Sequence, residues 1–193
     1  MRLENKVALI TGASSGIGKE SALLFAQEGA KIMAVDVNDA EGEKTVFEIK
    51  AAGGEAIYAH ADISKAADCE AMVKDAENKF GKLNVMFNNA GINLDRDTPL
   101  EQEPEKDWDR VIDVNLKGTF LFTKYAVPEM RKAGGGSIIN NSSVLDGQAN
   151  ADSAASYHAS KGGVGSLTRQ AAIHCRKSHL SPCCGRPLGD TCT

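Results

Sequence analysis

The chain has 193 residues, a formal net charge of -4 at pH 7 and 42% hydrophobic residues. This length suits one domain with a substantial core, and the acidic balance gives no basic surface of the kind that binds nucleic acid. No apolar stretch approaches the roughly 20 residues that a membrane span needs. Met1–Asn5 leads directly into the first predicted strand, so no secretion signal is expected and the predicted compartment is cytoplasmic.

A strand, a glycine loop and a helix follow one another at the start of the chain. The apolar run Lys6–Thr11 predicts a buried strand, and Lys19–Gln27 has the pattern of an amphipathic helix that ends at Gly29. Between them stands Thr11-Gly-Ala-Ser-Ser-Gly-Ile-Gly18. Glycines let the backbone approach a phosphate, and the free amides of a helix start favour an anion. This order predicts a pyrophosphate-binding loop, although its glycine spacing differs from the common Gly-x-Gly-x-x-Gly fingerprint.

An acidic residue follows the second predicted strand. Lys31–Val35 is that strand, and Asp36 comes next, about twenty residues after Gly12. A carboxylate there can accept hydrogen bonds from both hydroxyls of an adenosine ribose and would repel a 2′-phosphate. No arginine lies just after Asp36 in the sequence, so NAD is expected as the cofactor in preference to NADP. The alternative is that Asp36 merely caps a helix that starts near Asn38 or Asp39.

The alternation of helices and strands continues to about residue 173. Helices are predicted over Glu41–Ala52, Lys65–Phe80, Pro104–Val114, Thr119–Arg131 and Ser156–Ile173, and strands over Ala56–Ala61, Asn84–Phe87 and Ser137–Asn140. Such alternation indicates one α/β domain, a doubly wound parallel sheet with helices on both faces. Inside the last helix, Gly162, Gly163 and Gly165 lower helix stability and suggest close packing against a cofactor or another subunit.

Tyr157 and Lys161 stand four residues apart in the last predicted helix, so their side chains share one face. A free tyrosine phenol has a pKa of about 10, and a positive charge beside a phenol moves its pKa toward neutrality. The spacing therefore suits a phenol that transfers a proton at neutral pH. The pair is weak evidence on its own, because tyrosine and lysine meet at this spacing on many solvated helices.

Further motifs stand between the glycine loop and this pair. They are Asp62 after the third strand, Asn88-Asn-Ala-Gly91, Asn115 in Val114-Asn-Leu-Lys-Gly118, and Ser143, the second serine after Gly136-Ser-Ile-Ile-Asn-Asn141. In this order and spacing, the motifs resemble those of the classical short-chain dehydrogenases/reductases from about Leu3 to about Ile173. The resemblance implies a Rossmann-like fold, a homo-oligomer, and an oxidoreductase that interconverts a small-molecule secondary alcohol and a ketone by hydride transfer.

The resemblance also implies a role for each matching residue. Tyr157 would give or take the proton on the substrate oxygen, Lys161 would activate that phenol and hold the nicotinamide ribose, and Ser143 would hydrogen-bond the substrate oxygen. Asn115 would hold a water in a proton relay, and Asp62 would bind the adenine amino group. The expected cofactor-binding residues are Gly12, Ser14, Ser15, Gly16, Ile17, Gly18, Asp36, Asp62, Ile63, Asn89, Ala90, Gly91, Tyr157 and Lys161.

Two of these assignments have structural alternatives. Asn115 could be a satisfied buried amide, and Ser142 or Ser143 could merely cap a turn. The alternation of residues along Ser137–Ser143 does not decide which serine faces the site. The choice of Ser143 follows from the family match alone.

The last twenty or so residues depart from the pattern. Four cysteines and a histidine lie there, namely Cys175, His179, Cys183, Cys184 and Cys192, and no strand-like run is visible. The sequence therefore predicts a domain over residues 1–175 and an atypical cysteine-rich tail over residues 176–193. Family members continue with another strand, a substrate loop and a final strand, so this chain is expected to lack the last strands and to leave the strand Ser137–Asn140 bare. Free thiols are expected in preference to a zinc site, because the spacing matches no zinc pattern.

Two function classes stay open at this point. The first is an NAD-dependent short-chain dehydrogenase/reductase. The second is a truncated, catalytically weak or inactive relative that keeps cofactor binding and oligomer contacts, with a tail that is spliced or out of frame. The motifs favour the first class and the unusual tail favours the second.

Overall fold

The computed structural model describes residues 1–94, 98–144, 146–148 and 153–175, and the backbone of residues 180–185. The elements are β1 Val7–Thr11, α1 Gly16–Gln27, β2 Lys31–Asp36, α2 Asp39–Ala51, β3 Ala56–His60, α3 Ala66–Phe80, β4 Val85–Asn88, a 3-10 turn Leu100–Gln102, α4 Glu105–Ile112, a π-helical segment Asp113–Lys117, α5 Gly118–Lys132, β5 Gly136–Asn141, α6 Ala155–Cys175 and β6 Leu180–Gly185. Over these described residues, no helix is both long and apolar enough to cross a membrane.

The six strands form one sheet in the order β3-β2-β1-β4-β5-β6, and every neighbouring pair is parallel. The predicted doubly wound α/β fold is therefore confirmed. The direction of winding reverses between β1 and β4, so the connections that leave these two strands run to opposite sides. In folds of this kind, a crevice opens at the carboxyl ends of the strands at that point.

The core lies in two layers, one on each face of the sheet. Leu9 and Met33 belong to the layer that also contains residues of α3 and α5. Their neighbours along the same strands, Ile10 and Ile32, belong to the layer that contains residues of α1 and α2. Because both faces are buried, the central strands are apolar without interruption, which is why their runs were recognisable in the sequence.

The strand β6 corrects the expectation that nothing strand-like follows α6. Its backbone pairs with the whole length of β5, from Gly136 opposite Leu180 to Asn141 opposite Gly185. The edge of β5 that was expected to be bare is therefore paired. The segment was missed because Leu-Ser-Pro-Cys-Cys-Gly contains no β-branched residue and includes Pro182. Proline is tolerated in an edge strand at a position whose N–H would face away from the sheet, because no hydrogen bond between strands is then lost.

The alternative of a zinc site in the tail falls mostly outside the described part of the chain. Of the candidate ligands Cys175, His179, Cys183 and Cys184, His179 lies beyond it, and only the backbone is described for Cys183 and Cys184. Free thiols in this segment therefore stay a prediction. Among the described side chains, Cys69 and Cys175 are both buried free thiols. Burial is the main cause that raises the pKa of Cys69 to about 12, so this thiol is inert at neutral pH.

Two of the three glycines of α6, Gly163 and Gly165, serve internal packing. A Cβ at Gly163 would lie 2.8 Å from Cδ2 of Leu116, and a Cβ at Gly165 would lie 2.2 Å from Oδ2 of Asp146. The expected packing against a cofactor or another subunit is therefore wrong for these two positions, which accommodate parts of the same chain. At Gly162 a Cβ would meet no described atom within 4 Å.

Candidate active site

Two adjoining cavities lie along the carboxyl ends of the strands. The larger, of about 410 Å³, is lined by the glycine loop and by residues that follow β2, β3 and β4. The smaller, of about 340 Å³, is lined by residues that follow β4 and β5 and by α6. Four residues line both cavities, namely Ile17, Asn89, Gly91 and Ile92. The two spaces therefore form one continuous cleft at the sheet's switch point.

The glycine loop is folded so tightly at Gly12 and Gly18 that no side chain fits at these two positions. A Cβ at Gly18 would lie 1.9 Å from the carbonyl oxygen of Gly12, and a Cβ at Gly12 would lie 2.9 Å from Cα of Ala90. Gly12 and Gly16 also have φ values of +68 and +52, in the left-handed region that favours glycine. Ser15, the N-cap residue of α1, makes no side-chain cap hydrogen bond among the described residues, and the first turn of α1 contains no acidic residue. These features together suit an anion at the start of α1.

Asp36 stands at the end of β2 and lines the larger cavity. Its Oδ2 accepts a hydrogen bond from the backbone N–H of Ser14 at 3.0 Å, and its Oδ1 accepts from those of Val37 at 2.8 Å and Asn38 at 3.1 Å. The side chain that caps α2 is Asn38, which accepts from the N–H of Glu41 at 3.3 Å. Asp36 is therefore not the helix cap, and its carboxylate joins the glycine loop to the end of β2.

Asp62 and Arg110 meet at the other end of the larger cavity. The carboxylate of Asp62 accepts hydrogen bonds from the backbone N–H of Ser64 at 3.0 Å and from its hydroxyl at 2.7 Å. Nη1 of Arg110 lies 3.7 Å from Asp62 Oδ2 and donates to the Ser64 hydroxyl at 3.3 Å. Arg110 was not predicted, since an arginine on a polar helix face gives no sequence signal that separates it from ordinary solvated residues.

The environment of Asp62 gives a pH-dependent contribution to stability. Burial alone would raise the pKa of Asp62, but the hydrogen bonds from Ser64 and the charges of Arg110 and Lys65 outweigh burial and lower it below its usual value. A carboxyl with a lowered pKa stabilises the fold above its unfolded-state pKa of about 3.9, and this stabilisation is lost as the pH falls through the folded-state pKa.

We expect Asp62→Asn to lower Tm at pH 7. On acidification, the Tm of this variant should fall less than the Tm of the parent chain. Thermal melts of both proteins between pH 7 and pH 3 test this. The difference in Tm should be constant at neutral pH and shrink below about pH 4. A difference that stays constant over the whole range would contradict the assigned cause.

The two asparagines of Asn88-Asn-Ala-Gly91 have different partners. Asn88 is buried and donates from Nδ2 to Oδ1 of Asn140 at 2.8 Å, and Asn140 donates in turn to the hydroxyl of Thr168 in α6 at 2.8 Å. Asn89 donates from Nδ2 to the carbonyl oxygen of Thr11 at 3.0 Å and accepts at Oδ1 from Asn141 at 3.0 Å. Asn88 thus braces β4, β5 and α6 under the cleft, whereas Asn89 connects the glycine loop to the end of β5.

Asn115 is a satisfied buried amide in the π-helical segment. Its Nδ2 donates to the carbonyl oxygen of Ile92 at 2.8 Å and to the hydroxyl of Ser160 at 3.1 Å, and its Oδ1 accepts from the N–H of Ile92 at 2.8 Å. The side chain therefore holds the segment after β4 against α6. The relay role implied by the family resemblance stays a prediction.

Tyr157, Lys161 and Ser143 line the smaller cavity together. Lys161 is buried, its Nζ donates to the carbonyl oxygen of Asn141 at 2.7 Å, and it lies 5.7 Å from the ring centroid of Tyr157. The hydroxyl of Ser142 donates to the carbonyl oxygen of Lys161 at 2.8 Å, so this serine is engaged with the α6 backbone. Ser143 is half-buried at the cavity wall, a placement that favours it as the serine facing the site.

Glu103 is a second residue that the sequence did not indicate. Both of its carboxylate oxygens accept from the backbone N–H of Ser156, each at 3.3 Å. The Glu103 carboxylate thereby accepts a hydrogen bond from an amide of the first turn of α6, and its negative charge interacts favourably with the positive end of the helix dipole. The second residue of α6, the helix that carries Tyr157 and Lys161, is thus held by a carboxylate from the segment before α4.

Comparisons with known proteins agree with this architecture. The family model described as short chain dehydrogenase matches residues 6–181. An uncharacterized oxidoreductase of Thermotoga maritima is 43% identical over 90% of this chain and 67% of its own length. A cyclohexanol dehydrogenase of an Acinetobacter species is 44% identical over 89% of this chain and 68% of its own length, so the chain spans about two thirds of these relatives.

The solved structures lead to the same conclusion. A metagenomic short-chain oxidoreductase in complex with NADP superposes with a TM-score of 0.92 at 33% identity, covering 98% of this chain and 85% of that one. The family model extends over nearly the whole described part of the sheet, from β1 into β6. The chain belongs to the short-chain dehydrogenase family of oxidoreductases.

Proposed function

We propose that the chain is an NAD-dependent dehydrogenase or reductase that interconverts a secondary alcohol and a ketone. The observation that carries the proposal is the smaller cavity, where Ser143, Tyr157 and Lys161 line one space that continues into the glycine-loop cavity. A proton donor, a cation and a hydroxyl around one point are what reaction at a carbonyl or alcohol oxygen requires. The similarity to a cyclohexanol dehydrogenase supports an alcohol substrate.

The cleft suits a dinucleotide. Gly12 and Gly16 line the larger cavity, and a Cβ at Gly16 would meet no described atom within 4 Å, so the loop offers bare backbone at the start of α1 that would hold the pyrophosphate. Asp36 would bind the adenosine ribose, Asp62 the adenine amino group and Lys161 the nicotinamide ribose. When bound, the dinucleotide supplies or accepts the hydride.

The chain's own residues would control the proton. The Tyr157 hydroxyl would donate its proton to the substrate oxygen in reduction and take it back in oxidation. The Lys161 ammonium, fixed by the carbonyl oxygen of Asn141 at 2.7 Å, would favour the charged form of the phenol. The hydroxyl of Ser143 would hydrogen-bond the substrate oxygen and stabilise the charge that develops there.

The preference for NAD rests on charge. Asp36 lines the cavity where the adenosine ribose would lie, and its carboxylate would repel a 2′-phosphate. Among the described residues that line the larger cavity, Arg110 is the only cation, and it stands beside Asp62. One similar structure, in contrast, is in complex with NADP.

We expect the unmodified chain to bind NADH more tightly than NADPH, and Asp36→Ala to reduce or reverse this difference. Titrations that follow the nicotinamide fluorescence give both dissociation constants. Asp39→Ala is the matched control, because it removes the same charge three residues further along the chain. The Asp39 carboxylate is hydrogen-bonded to Tyr58 and His60. It should leave the NADH/NADPH ratio unchanged. Tighter binding of NADPH by the unmodified chain would show that the assignment of NAD is wrong.

Activity is tested with the full chain, NAD and a panel of secondary alcohols that includes cyclohexanol. Turnover that depends on Tyr157 supports the proposal. Binding of NADH without turnover of any alcohol or ketone in the panel would instead support the second class, a relative that keeps cofactor binding alone.

A further inference from the structure

Ser142 and Asp146, which come before and after Ser143 in the chain, both contact the helix that carries Tyr157. The buried Ser142 donates from its hydroxyl to the carbonyl oxygen of Lys161 at 2.8 Å. The backbone N–H of Asp146 donates to the carbonyl oxygen of Ser143 at 3.1 Å. The Asp146 side chain is itself buried, with 7% of the residue exposed. Ser143 thus lies between Ser142 and Asp146, and both it and Val144 line the smaller cavity.

The second anchor depends on a glycine. A Cβ at Gly165 would lie 2.2 Å from Oδ2, 2.8 Å from Cγ and 2.9 Å from Oδ1 of Asp146. Rotation of the carboxylate alone cannot relieve this contact, because Cγ itself is too close. The missing side chain of Gly165 therefore creates a notch in α6 that receives the carboxylate of Asp146.

Both anchors lie on the helix face that carries the reacting groups. Tyr157, Lys161 and Gly165 follow at intervals of four residues, so they share one face over two turns of α6. Ser142 is hydrogen-bonded to α6 at the level of Lys161, and the carboxylate of Asp146 packs against α6 one turn further along, at Gly165. The position of Ser143 relative to Tyr157 is thus determined through a single rigid helix.

We propose that Ser142, Asp146 and Gly165 are positioning residues that set the Ser143 hydroxyl against Tyr157. This inference rests on the proposed function, in which both hydroxyls bind the same substrate oxygen. A displacement of Ser143 by a fraction of an ångström would weaken that shared contact without altering the glycine loop or Asp36. The expected signature is a lower kcat at nearly constant affinity for NADH.

The decisive comparison is between two glycine-to-alanine changes in the same helix. Gly165→Ala places a methyl group against Asp146, whereas Gly162→Ala meets no described atom within 4 Å. Both changes bring the same gain in helix propensity. We expect Gly165→Ala to lower kcat on the order of tenfold to a hundredfold. Gly162→Ala should retain the kcat and the NADH affinity of the parent chain.

Two further variants separate positioning from general damage. In an Asp146→Ala background, Gly165→Ala should cost no more activity than Gly162→Ala does, because the carboxylate that the methyl group would meet is gone. Ser142→Ala should lower kcat, and Ser142→Thr, which keeps the hydroxyl, should restore most of it. Equal losses for Ser142→Ala and Ser142→Thr would remove Ser142 from the proposal.

A structural readout keeps this inference distinct from the proposed function. Hydrogen–deuterium exchange of the amides from Ser143 to Gly147 should be faster in Gly165→Ala than in Gly162→Ala, whether or not the chain turns over a substrate. If the parent chain shows no turnover, the proposed function fails. The exchange comparison alone then tests whether the contact between Asp146 and Gly165 holds the segment that carries Ser143. If the two variants match in both exchange and kcat, the inference is overturned.

Discussion

Tyr157→Phe is expected to lower kcat by about two to four orders of magnitude while the dissociation constant of NADH stays close to that of the parent chain. The change removes one oxygen and with it the group proposed to exchange a proton with the substrate. The ring is kept, so the packing beside Lys161, whose Nζ lies 5.7 Å from the ring centroid, is retained. Steady-state rates with the best alcohol of the panel, together with NADH fluorescence titrations, measure both quantities.

The chain contains a matched control for this experiment. Lys124 Nζ lies 5.2 Å from the ring centroid of Tyr125 in α5, a second lysine–tyrosine pair of similar geometry. Tyr125 packs against the core layer of α3 and α5 and lines neither cavity of the cleft. Tyr125→Phe should leave kcat unchanged. Equal losses at Tyr125 and Tyr157 would mean that the effect is structural.

Lys161→Ala separates the two tasks proposed for the lysine. Its ammonium is held by the carbonyl oxygen of Asn141 and would both activate the phenol and hold the nicotinamide ribose. We therefore expect a loss of kcat together with weaker binding of NADH, in contrast to Tyr157→Phe. A loss of kcat with unchanged NADH binding would exclude the ribose contact.

Gly18→Ala is expected to abolish measurable NADH binding. A Cβ at this position would lie 1.9 Å from the carbonyl oxygen of Gly12 and 2.7 Å from its carbonyl carbon, which are backbone atoms that no side-chain rotation can move aside. The loop must therefore open. Opening displaces the amides at the start of α1, where the pyrophosphate would lie. Titration with NADH up to millimolar concentration checks the loss.

Circular dichroism and a thermal melt accompany this titration. The far-UV spectrum should match that of the parent chain, because the sheet and the other helices do not depend on this contact. Gly162→Ala again provides the comparison, a helical glycine with open space around it. If Gly18→Ala binds NADH as tightly as Gly162→Ala does, the loop is not the phosphate site.

The elements that position the cleft were predictable because their signals are local. The predicted strand Lys31–Val35 is apolar without interruption from Ile32 onward, and the structure extends this strand by one residue to Asp36. Glycine marked the start of α1 and the end of α3, where Gly81 adopts a left-handed conformation. In contrast, the strand Leu180–Gly185 is defined by its pairing with β5 and carries no local pattern. Whether such a segment forms a strand is determined by its tertiary contacts and not by its local sequence.

The site was predictable in its residues and less so in their partners. A motif can indicate Asn115, but it cannot show that the side chain is fully occupied by the backbone of Ile92 and by Ser160. Arg110 and Glu103 enter the site from segments whose sequence is that of any solvated helix or turn. Their roles depend on which strand end or helix start lies opposite them, and that is a property of the folded chain.

The hydrogen-bonded side chains of Asn88, Asn140 and Thr168 under the cleft limit which substitutions the site can accept. Asn88, Asn140 and Thr168 are all buried, and each hydrogen bond has one donor and one acceptor of fixed direction. Exchange of Asn140 alone for an apolar residue would remove one hydrogen bond from each of two buried groups, Asn88 Nδ2 and Thr168 Oγ1, at a cost of about 0.5–1.5 kcal/mol each. Adaptation to new substrates would therefore proceed at the rim, at positions such as Asn93 and Val144, while the floor changes only by concerted substitution.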